Sequence, residues 1–526
     1  MQFKNPVPIS WFHYANVFFS VSLVVGLFFS MPVISTSVIA LSCLWLLEPN
    51  IIDRFNKLKN SKVSLFFLGF FLLHVFGLLW SDDMDYGFHD LNIKLPLLAM
   101  PIVLGAGYDY KPKETKLIWH FFIAAAVTSA FICVIYGYSN NLENHRDWSP
   151  FISHIRLSLM VVLATFMTLI YAREEKIWSA WWIIYIVVAA ILVTFLYLLN
   201  ALSGIIILLI LALYWVGLLF KNSIKSKKGI ITGGIFLLAI MGFTLYTYSI
   251  ANDFYTIKDV NWKQADKLSK GGEEYRFEWG NETKENGYYV KYYLADQELN
   301  DAWLERSNKP LYKADGSVTP QLEIVQRYMA SKGLRKDREG VAQLSDTDIE
   351  AIENGVTNYR FLERGILYKR VYSTIWEVDR YYNGFGVSGG SLSQRFVYWK
   401  TAKQIALDHL WIGVGTGDVK IAFKEAYENQ ENPPEEKYRL RAHNQYLTIW
   451  LTFGTLGLMY FIWVLIAPFF MHRGPINLAF QLFWIIAILS MINEDTLETQ
   501  VGVTFIAYFY HFTLYAGSGY LKKHLV

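Results

Sequence analysis

Residues 177–220 read IWSAWWIIYIVVAAILVTFLYLLNALSGIIILLILALYWVGLLF, a stretch without a charged side chain. A helix that crosses a bilayer needs about 20 mostly apolar residues. The stretch therefore predicts two membrane spans, and its one polar break, at Asn200 and Ala201, predicts a tight turn between them. The whole chain is 53% hydrophobic and 18% charged, whereas soluble domains are closer to about 25% charged. This composition predicts that much of the chain lies in lipid.

The same criterion predicts about twelve spans in an all-α polytopic membrane protein. The apolar stretch that begins at Trp11 is too long for a signal-peptide core and is interpreted as an uncleaved first span. The fourth span is short and contains Pro96 and Pro101, so it is either kinked or re-entrant. The predicted spans are 11–30, 31–47, 63–80, 95–108, 117–138, 155–172, 177–199, 201–220, 229–249, 445–470, 477–493 and 501–518.

The loops between these spans differ in charge. Lysine and arginine are concentrated in 51–62, 109–116, 221–228 and the C-terminus, which carries Lys522 and Lys523. Residues 81–90 are acidic, and so are residues 493–500. With twelve spans, every Lys-rich loop falls on one side, which the positive-inside rule assigns to the cytoplasm. Both termini are then predicted to be cytoplasmic.

This topology divides the chain into three predicted regions. Residues 1–249 form spans 1–9, and residues 444–526 form spans 10–12. Residues 250–443 face outward as a large extracytoplasmic segment. We expect a small folded domain within it, because so long a loop rarely lacks structure. We also expect an amphipathic helix near 395–407, whose apolar residues would lie on the membrane surface.

A histidine stands at the outward mouth of the tenth span, in Arg439-Leu440-Arg441-Ala442-His443-Asn444. Two neighbouring cations favour a neutral imidazole, which can serve as a general base. An interfacial histidine that is hydrogen-bonded to backbone is the alternative interpretation of His443.

Arg395 lies in the first turn of the predicted amphipathic helix, four residues before Trp399. The N–H groups at a helix start favour an anion, and the guanidinium fork fits two phosphate oxygens. A lipid-headgroup contact is the alternative. Arg156 opens the sixth span and Glu494 lies in the last outward loop. Snorkelling to the interface and a solvated loop charge are their alternative interpretations.

The stretches RFVYWKTAKQIALDHLWIGVGTGD (395–418) and RLRAHNQYLTIWLTFGTLGL (439–458) resemble the core signature of the O-antigen ligase superfamily. Its specific parts are R-x-x-x-W at 395–399, G-x-G at 413–415, and His443-Asn444 leading into a span with Gly454 and Gly457. The resemblance implies a GT-C-like fold with the large periplasmic segment between spans 9 and 10. It also implies an inverting glycosyltransferase of the bacterial inner membrane, with a periplasmic active site.

The resemblance further implies a donor, an acceptor and roles for residues. The donor is a glycan on undecaprenyl diphosphate, the acceptor is lipid A–core or another glycan, and no metal, nucleotide or other cofactor is needed. Arg395 would hold the diphosphate, and His443 would act on the acceptor hydroxyl. Further substrate-binding candidates are Arg156, Arg441, Arg439, Trp399, Asn444 and Glu494. The family commonly has an S-R-G arginine, but residues 200–204 read NALSG, so Arg156 is the first candidate substitute and Arg441 the second.

Several activities stay open at this stage. O-antigen ligation to lipid A–core is favoured, and an O-antigen polymerase or a protein O-oligosaccharyltransferase is the alternative. A polysaccharide flippase would have similar spans but should carry mid-membrane charge, which is scarce here. The small net charge of +3 gives no argument for a nucleic-acid partner, so membrane lipids and lipid-linked glycans are the expected partners.

Overall fold

A computed structural model describes residues 9–105, 108, 110–142, 144–223, 227–258, 265–384, 391–430, 433–472 and 476–516. The chain forms two compact units: residues 1–218 with 395–526, and residues 219–394. We call them the membrane unit and the inserted unit. The predicted boundaries at 249/250 and 443/444 follow membrane topology, whereas the units divide at 218/219 and 394/395. Helix 391–408 therefore belongs almost wholly to the membrane unit. Lys522 and Lys523 lie outside the described residues.

The described secondary structure of the membrane unit is helical, and each predicted span that falls within it contains a helix, but the helix in span 95–108 ends at Val103. Its helices are α1 (Ile9–Phe29), α2 (Met31–Leu46), α3 (Ile51–Asn60), α4 (Lys62–Phe76), α5 (Met84–Ile93), α6 (Leu95–Val103), α7 (Pro112–Ser139), α8 (His154–Glu174), α9 (Ala180–Leu198), α10 (Leu202–Ser223), α18 (Ser391–Asp408), α19 (Val419–Glu428), α20 (Gln445–Met471), α21 (Leu478–Asn493) and α22 (Gln500–His511).

Six stretches are long and apolar enough to cross a membrane within the described chain: Trp11–Phe29, Lys62–Trp80, Pro112–Ser139, His154–Glu174, Ala180–Leu198 and Gln445–Met471. The pair α2 and α3, bent by 107°, adds a seventh if it counts as one span. Helix α6 has 9 residues with Pro101 inside it, so it is about 14 Å long and cannot cross a core of about 30 Å alone. The chain is an all-α membrane protein, while the count of about twelve spans stays a prediction.

Loops that were predicted to share a side meet at one end of the membrane unit. Contacts of residues in the predicted inner loops or at the adjoining ends of predicted spans are Arg54–Glu48, His13–Glu114 and Ser61–Tyr515. Contacts of residues in the predicted outer loops or at the adjoining ends of predicted spans are Asp418–Asp82, His145–Leu198, Asn493–Ser203 and Arg156–Glu494. This sorting fits alternating spans, and the assignment of one end to the periplasm stays a prediction.

A kink interrupts α20, and a glycine turn at residues 413–415 packs against it. At Gly454 the helix is kinked, with φ 65°, a conformation that glycine adopts without steric cost. The turn at Gly413 and Gly415 has φ of 71° and 93°. Backbone hydrogen bonds join this segment to the carbonyl and N–H groups of α20 that the kink leaves unpaired. The hydrogen bonds are Val414 N to Leu451 O (2.9 Å), Gly415 N to Thr452 O (2.9 Å) and Thr455 N to Leu410 O (2.8 Å).

The inserted unit contains a small domain with its own apolar core around Trp303 and Tyr328, both fully buried. Ser345 and Asp348 form a capping box at the start of α15, as expected for residues of this type at a helix N-terminus. Its elements are α11 (Lys227–Tyr255), β1 (Lys284–Glu285), β2 (Tyr288–Tyr289), α12 (Asp296–Leu304), α13 (Pro320–Ser331), α14 (Arg338–Ala342), α15 (Asp346–Glu353), α16 (Arg360–Glu363) and α17 (Gly365–Tyr382). Strands β1 and β2 pair antiparallel.

Candidate active site

His443 occupies an unusual backbone conformation just before α20. Its φ of 46° lies in the left-handed region. This conformation costs a non-glycine residue free energy, so contacts with the surrounding structure have to hold it in place. Asn444 then caps α20, because its side chain accepts a hydrogen bond from Leu447 N at 3.1 Å. The turn presents the His443 ring, which is 33% exposed, at the end of the membrane unit that holds the predicted outer loops.

Asp495 fixes this turn. Its two carboxylate oxygens accept hydrogen bonds from His443 N (3.0 Å) and Asn444 N (3.1 Å), and Thr448 Oγ1 donates to it at 2.7 Å. Asp495 is 6% exposed, so these bonds are shielded from water and each is stronger than it would be at the surface. A loop between α21 and α22 thereby sets the position of a histidine that precedes α20.

Glu494 lies between His443 and Arg156. Its Oε2 is 3.9 Å from His443 Nδ1, and its Oε1 is 3.4 Å from Arg156 Nη2. Glu494 is 6% exposed, and a buried carboxylate requires such partners. Within the described residues Arg156 Nε is buried and has no hydrogen-bond partner. The three residues thus form a cation–carboxylate–imidazole row.

Helix α18 lines the other side of His443. The Tyr398 ring is 5.8 Å from the His443 ring, centroid to centroid. Burial raises the pKa of the Tyr398 phenol, and the positive charge of Arg395 opposes that rise. Arg395 therefore lies close enough to Tyr398 to act on it electrostatically, one turn away on the same helix. Trp399 is half-buried and packs edge-to-face on Phe396 at 6.0 Å.

The apolar face predicted for α18 is largely turned toward protein. Ala402 and Ile405 are buried in a cluster with α19 and the start of α20, and Phe396 and Trp399 are half-buried. A membrane-surface role for the helix stays a prediction.

A buried ion cluster braces the same region. Glu498 pairs with Lys94 at 2.9 Å and with Arg441 at 3.2 Å, and Gln445 Nε2 donates to it at 3.0 Å. Lys94 also pairs with Asp90 at 2.6 Å. Burial alone would raise the pKa of Glu498, but the charges of Lys94 and Arg441 outweigh it and hold that pKa well below its usual range. The cluster ties the junction of α5 and α6 to Arg441, two residues before His443, and to the loop between α21 and α22.

Two predicted substrate-binding arginines point elsewhere. Arg441 donates to Tyr86 Oη at 3.0 Å and pairs with Glu498, while Arg439 Nε donates to Pro434 O at 3.0 Å. Asn444 is 9% exposed and serves as the helix cap. The structure places Glu494 and Tyr398 beside His443 and Arg156 beside Glu494. Arg395 and Trp399 lie within one turn of Tyr398 on α18, and their roles stay predictions. Arg439, Arg441 and Asn444 have structural contacts.

Sequence reasoning missed several members of this site. In the sequence, Asp495 is one of several acidic residues in its loop, and Tyr398 occupies an unspecified position of the R-x-x-x-W motif. Lys94 and Glu498 are far apart in sequence, so no local pattern pairs them. His74 and His511 bond backbone carbonyls within their own helices, at 2.8 Å and 2.9 Å, and are buried, so both are packing histidines.

Comparison with known proteins gives one family. A family model described as O-Antigen ligase matches residues 349–462. The matched range includes Arg395, Trp399, the turn at 413–415 and His443, and it ends before Glu494 and Asp495. No curated protein matches the chain.

Proposed function

Since this chain carries an O-antigen ligase domain and is a member of the O-antigen ligase superfamily, we propose that it transfers a glycan from undecaprenyl diphosphate to an acceptor hydroxyl. The reaction takes place at the periplasmic face of the inner membrane. The favoured acceptor is lipid A–core, which makes the enzyme a ligase. A growing glycan or a protein as acceptor would leave the donor chemistry unchanged.

The placement of His443 is the observation that supports this proposal most. Its ring lies between Tyr398 and Glu494, and both backbone N–H groups of its turn are held by Asp495. A general base has to be held in one orientation to accept a proton efficiently. A packing histidine needs neither an acidic partner nor a fixed turn.

The chemistry of His443 follows from which ring nitrogen faces Glu494. With the proton on Nδ1, the ring donates toward Glu494 Oε2, and Nε2 has a free lone pair. Nε2 then takes the proton of the acceptor hydroxyl as its oxygen attacks the anomeric carbon. The bond from that carbon to the diphosphate oxygen breaks in the same direct displacement. Because the hydroxyl oxygen attacks the face opposite the leaving group, the configuration at the anomeric carbon inverts. The nearby carboxylate of Glu494 stabilises the imidazolium that forms, in the role that an acid plays beside a catalytic histidine.

The leaving group gains negative charge as the glycosidic bond breaks. Arg395 is the residue we assign to the diphosphate, because a guanidinium can bond two oxygens at once. Arg156 adds a second cation beside Glu494, with a buried Nε that has no partner in the described chain. Fixed cations near the leaving group stabilise the transition state without having to reorganise. Trp399, on the same helix face as Arg395, would pack against the lipid-linked sugar.

Glycan transfer in reconstituted membranes tests the proposal. Purified protein is mixed with an undecaprenyl-diphosphate glycan and lipid A–core in the presence of EDTA, for wild type, His443→Ala and His409→Ala. His409 is an exposed histidine in the same matched region, so its variant controls for loss of any imidazole. We expect transfer by wild type and His409→Ala but none by His443→Ala.

Other products of that assay point to other activities. Lengthened donor chains with unmodified lipid A–core would make the enzyme a polymerase. Normal transfer by His443→Ala would remove the base assignment. No product from wild type with any glycan or protein acceptor would favour a transporter.

A further inference from the structure

The inserted unit carries a contiguous group of four aromatic side chains, of which Trp279 is exposed and Phe277, Tyr289 and Tyr292 are half-buried. Phe277 and Trp279 stack with centroids 5.0 Å apart and planes 8° apart. Trp279 meets Tyr292 edge-on at 4.9 Å, and Tyr292 stacks on Tyr289 at 4.5 Å. We call these four residues the aromatic platform.

The aromatic platform is not part of the main core of this unit. That core surrounds Trp303 and Tyr328, which are fully buried, whereas Trp279 is 55% exposed. Trp279 differs from a single exposed aromatic because it belongs to a contiguous aromatic group, and such an exposed apolar group is typical of a binding surface.

Packing against a buried side chain and backbone hydrogen bonds hold the aromatic platform in place. Phe277 packs on the buried Tyr293 at 5.0 Å and supports one face of the Trp279 indole. The backbone is fixed as well, since Glu278 N donates to Lys291 O at 3.1 Å and a turn follows at Gly280, with φ 87°. A supported indole that is still more than half exposed offers its second face to a ligand without having to be ordered first.

The charges around the platform restrict the ligand. Residues 273–282 contain four glutamates and one arginine, and that Arg276 is already paired with Asp296 and Glu278. The remaining acidic charge repels phospholipid headgroups and anionic polymers. Carboxylates and the amide of Asn281 are, however, good partners for hydroxyl groups.

We propose that the aromatic platform binds an uncharged segment of glycan, with one pyranose ring lying on Trp279. The C–H groups of one sugar face carry partial positive charge and meet the negative π-face of the indole, while the ring hydroxyls reach the acidic and amide side chains at its edge. This inference rests on the proposed function for the origin of the glycan. It comes from the donor chain or from the acceptor oligosaccharide, and both present the same chemistry.

Binding to the full-length protein in detergent tests this without requiring turnover. The probes are two lipid-free glycans released by mild acid: the O-polysaccharide of the source organism, and its core oligosaccharide from cells that lack O-antigen. Titration calorimetry is run with wild type, Trp279→Ala, Trp279→Leu and Tyr382→Ala. Trp279→Leu keeps an apolar side chain but has no flat π-face, and Tyr382 is an aromatic of the inserted unit outside the platform that is 78% exposed, more than Trp279.

We expect both Trp279 variants to weaken binding of one probe by about five- to tenfold, the loss of one aromatic contact. Tyr382→Ala should bind as wild type does. The probe whose affinity falls identifies the donor or the acceptor as the source. Unchanged affinity of both probes in Trp279→Leu would overturn the proposal, and so would binding that depends on Tyr382 to the same extent.

His443→Ala distinguishes glycan binding by the aromatic platform from glycan transfer at His443. This variant should bind the glycan with wild-type affinity although it transfers none. If wild type binds glycan through Trp279 but transfers nothing to any acceptor, the platform stands and the transferase assignment fails. If transfer proceeds and Trp279→Leu leaves binding unchanged, the transferase assignment stands and the platform fails.

Discussion

Nδ1 of His443 lies 3.9 Å from Oε2 of Glu494, a carboxylate that is 6% exposed. The distance is longer than a hydrogen bond, and it suits a pair that closes when the imidazole gains a proton. The two residues come from opposite sides of α20 and α21 in sequence, so the fold alone makes them neighbours.

Glu494→Gln should lower kcat by about tenfold to a hundredfold and leave the donor KM nearly unchanged, because the amide cannot stabilise the imidazolium by charge. Steady-state transfer kinetics check this. Glu435→Gln is the control, since that glutamate is largely exposed in the loop before His443 and pairs only with Lys437 among the described residues. Equal kcat in wild type and Glu494→Gln would contradict the role given to this carboxylate.

Arg395→Lys should raise the donor KM and lower kcat/KM by about a hundredfold, because an ammonium cannot make the two-point contact of a guanidinium. Arg439→Lys should leave both values near wild type, since Arg439 bonds the backbone of Pro434. The comparison is made with one donor preparation at varied concentration. If the two variants lose activity alike, a diffuse positive charge rather than a bidentate site binds the donor.

Glu498→Gln should lower the apparent melting temperature at pH 7, because Lys94 and Arg441 would lose the carboxylate that both contact. The folded pKa of Glu498 is held below its usual range. Its contribution to stability is therefore present above the unfolded pKa, about 4.3, and is lost as the pH falls below it, since the unfolded chain then gains a proton that the folded chain does not take up.

Thermal unfolding of wild type and Glu498→Gln from pH 7 to pH 3 measures this dependence. The difference in melting temperature should be largest at pH 7 and should shrink below about pH 4.3. A difference that grows as the pH falls would contradict the charged state assigned to Glu498.

Gly454→Ala should destabilise the protein and impair transfer. Its φ is 65°, and a Cβ at this position would collide with the backbone of Trp411 in the glycine turn. Gly217→Ala, in α10, is the matched control, because nothing lies within 4 Å of a Cβ there and alanine favours a helix over glycine by about 1 kcal/mol. We expect the melting temperature to fall for the first variant and to hold or rise for the second, and the reverse order would contradict the turn.

The sequence by itself determined that this is an all-α membrane protein with a large polar insertion, because burial in lipid requires long apolar stretches that can be read one at a time. It also indicated His443 and Arg395 through a local signature, and both residues lie in the range that the family model matches. The structure gives the glycines of that signature a packing role, since it places Gly413 against the backbone of Thr452 and Phe453, beside the kink at Gly454.

Only the tertiary structure decided which charged groups meet. Sequence spacing could not distinguish Arg156, which lies beside Glu494, from Arg441, which lies beside Glu498. It also could not show that Asp495 holds the backbone of His443. These pairs join helices that are distant along the chain, and their geometry depends on how the helices pack. An apolar stretch enters the membrane because of its own composition, whereas an ion pair forms only where helix packing brings both residues together.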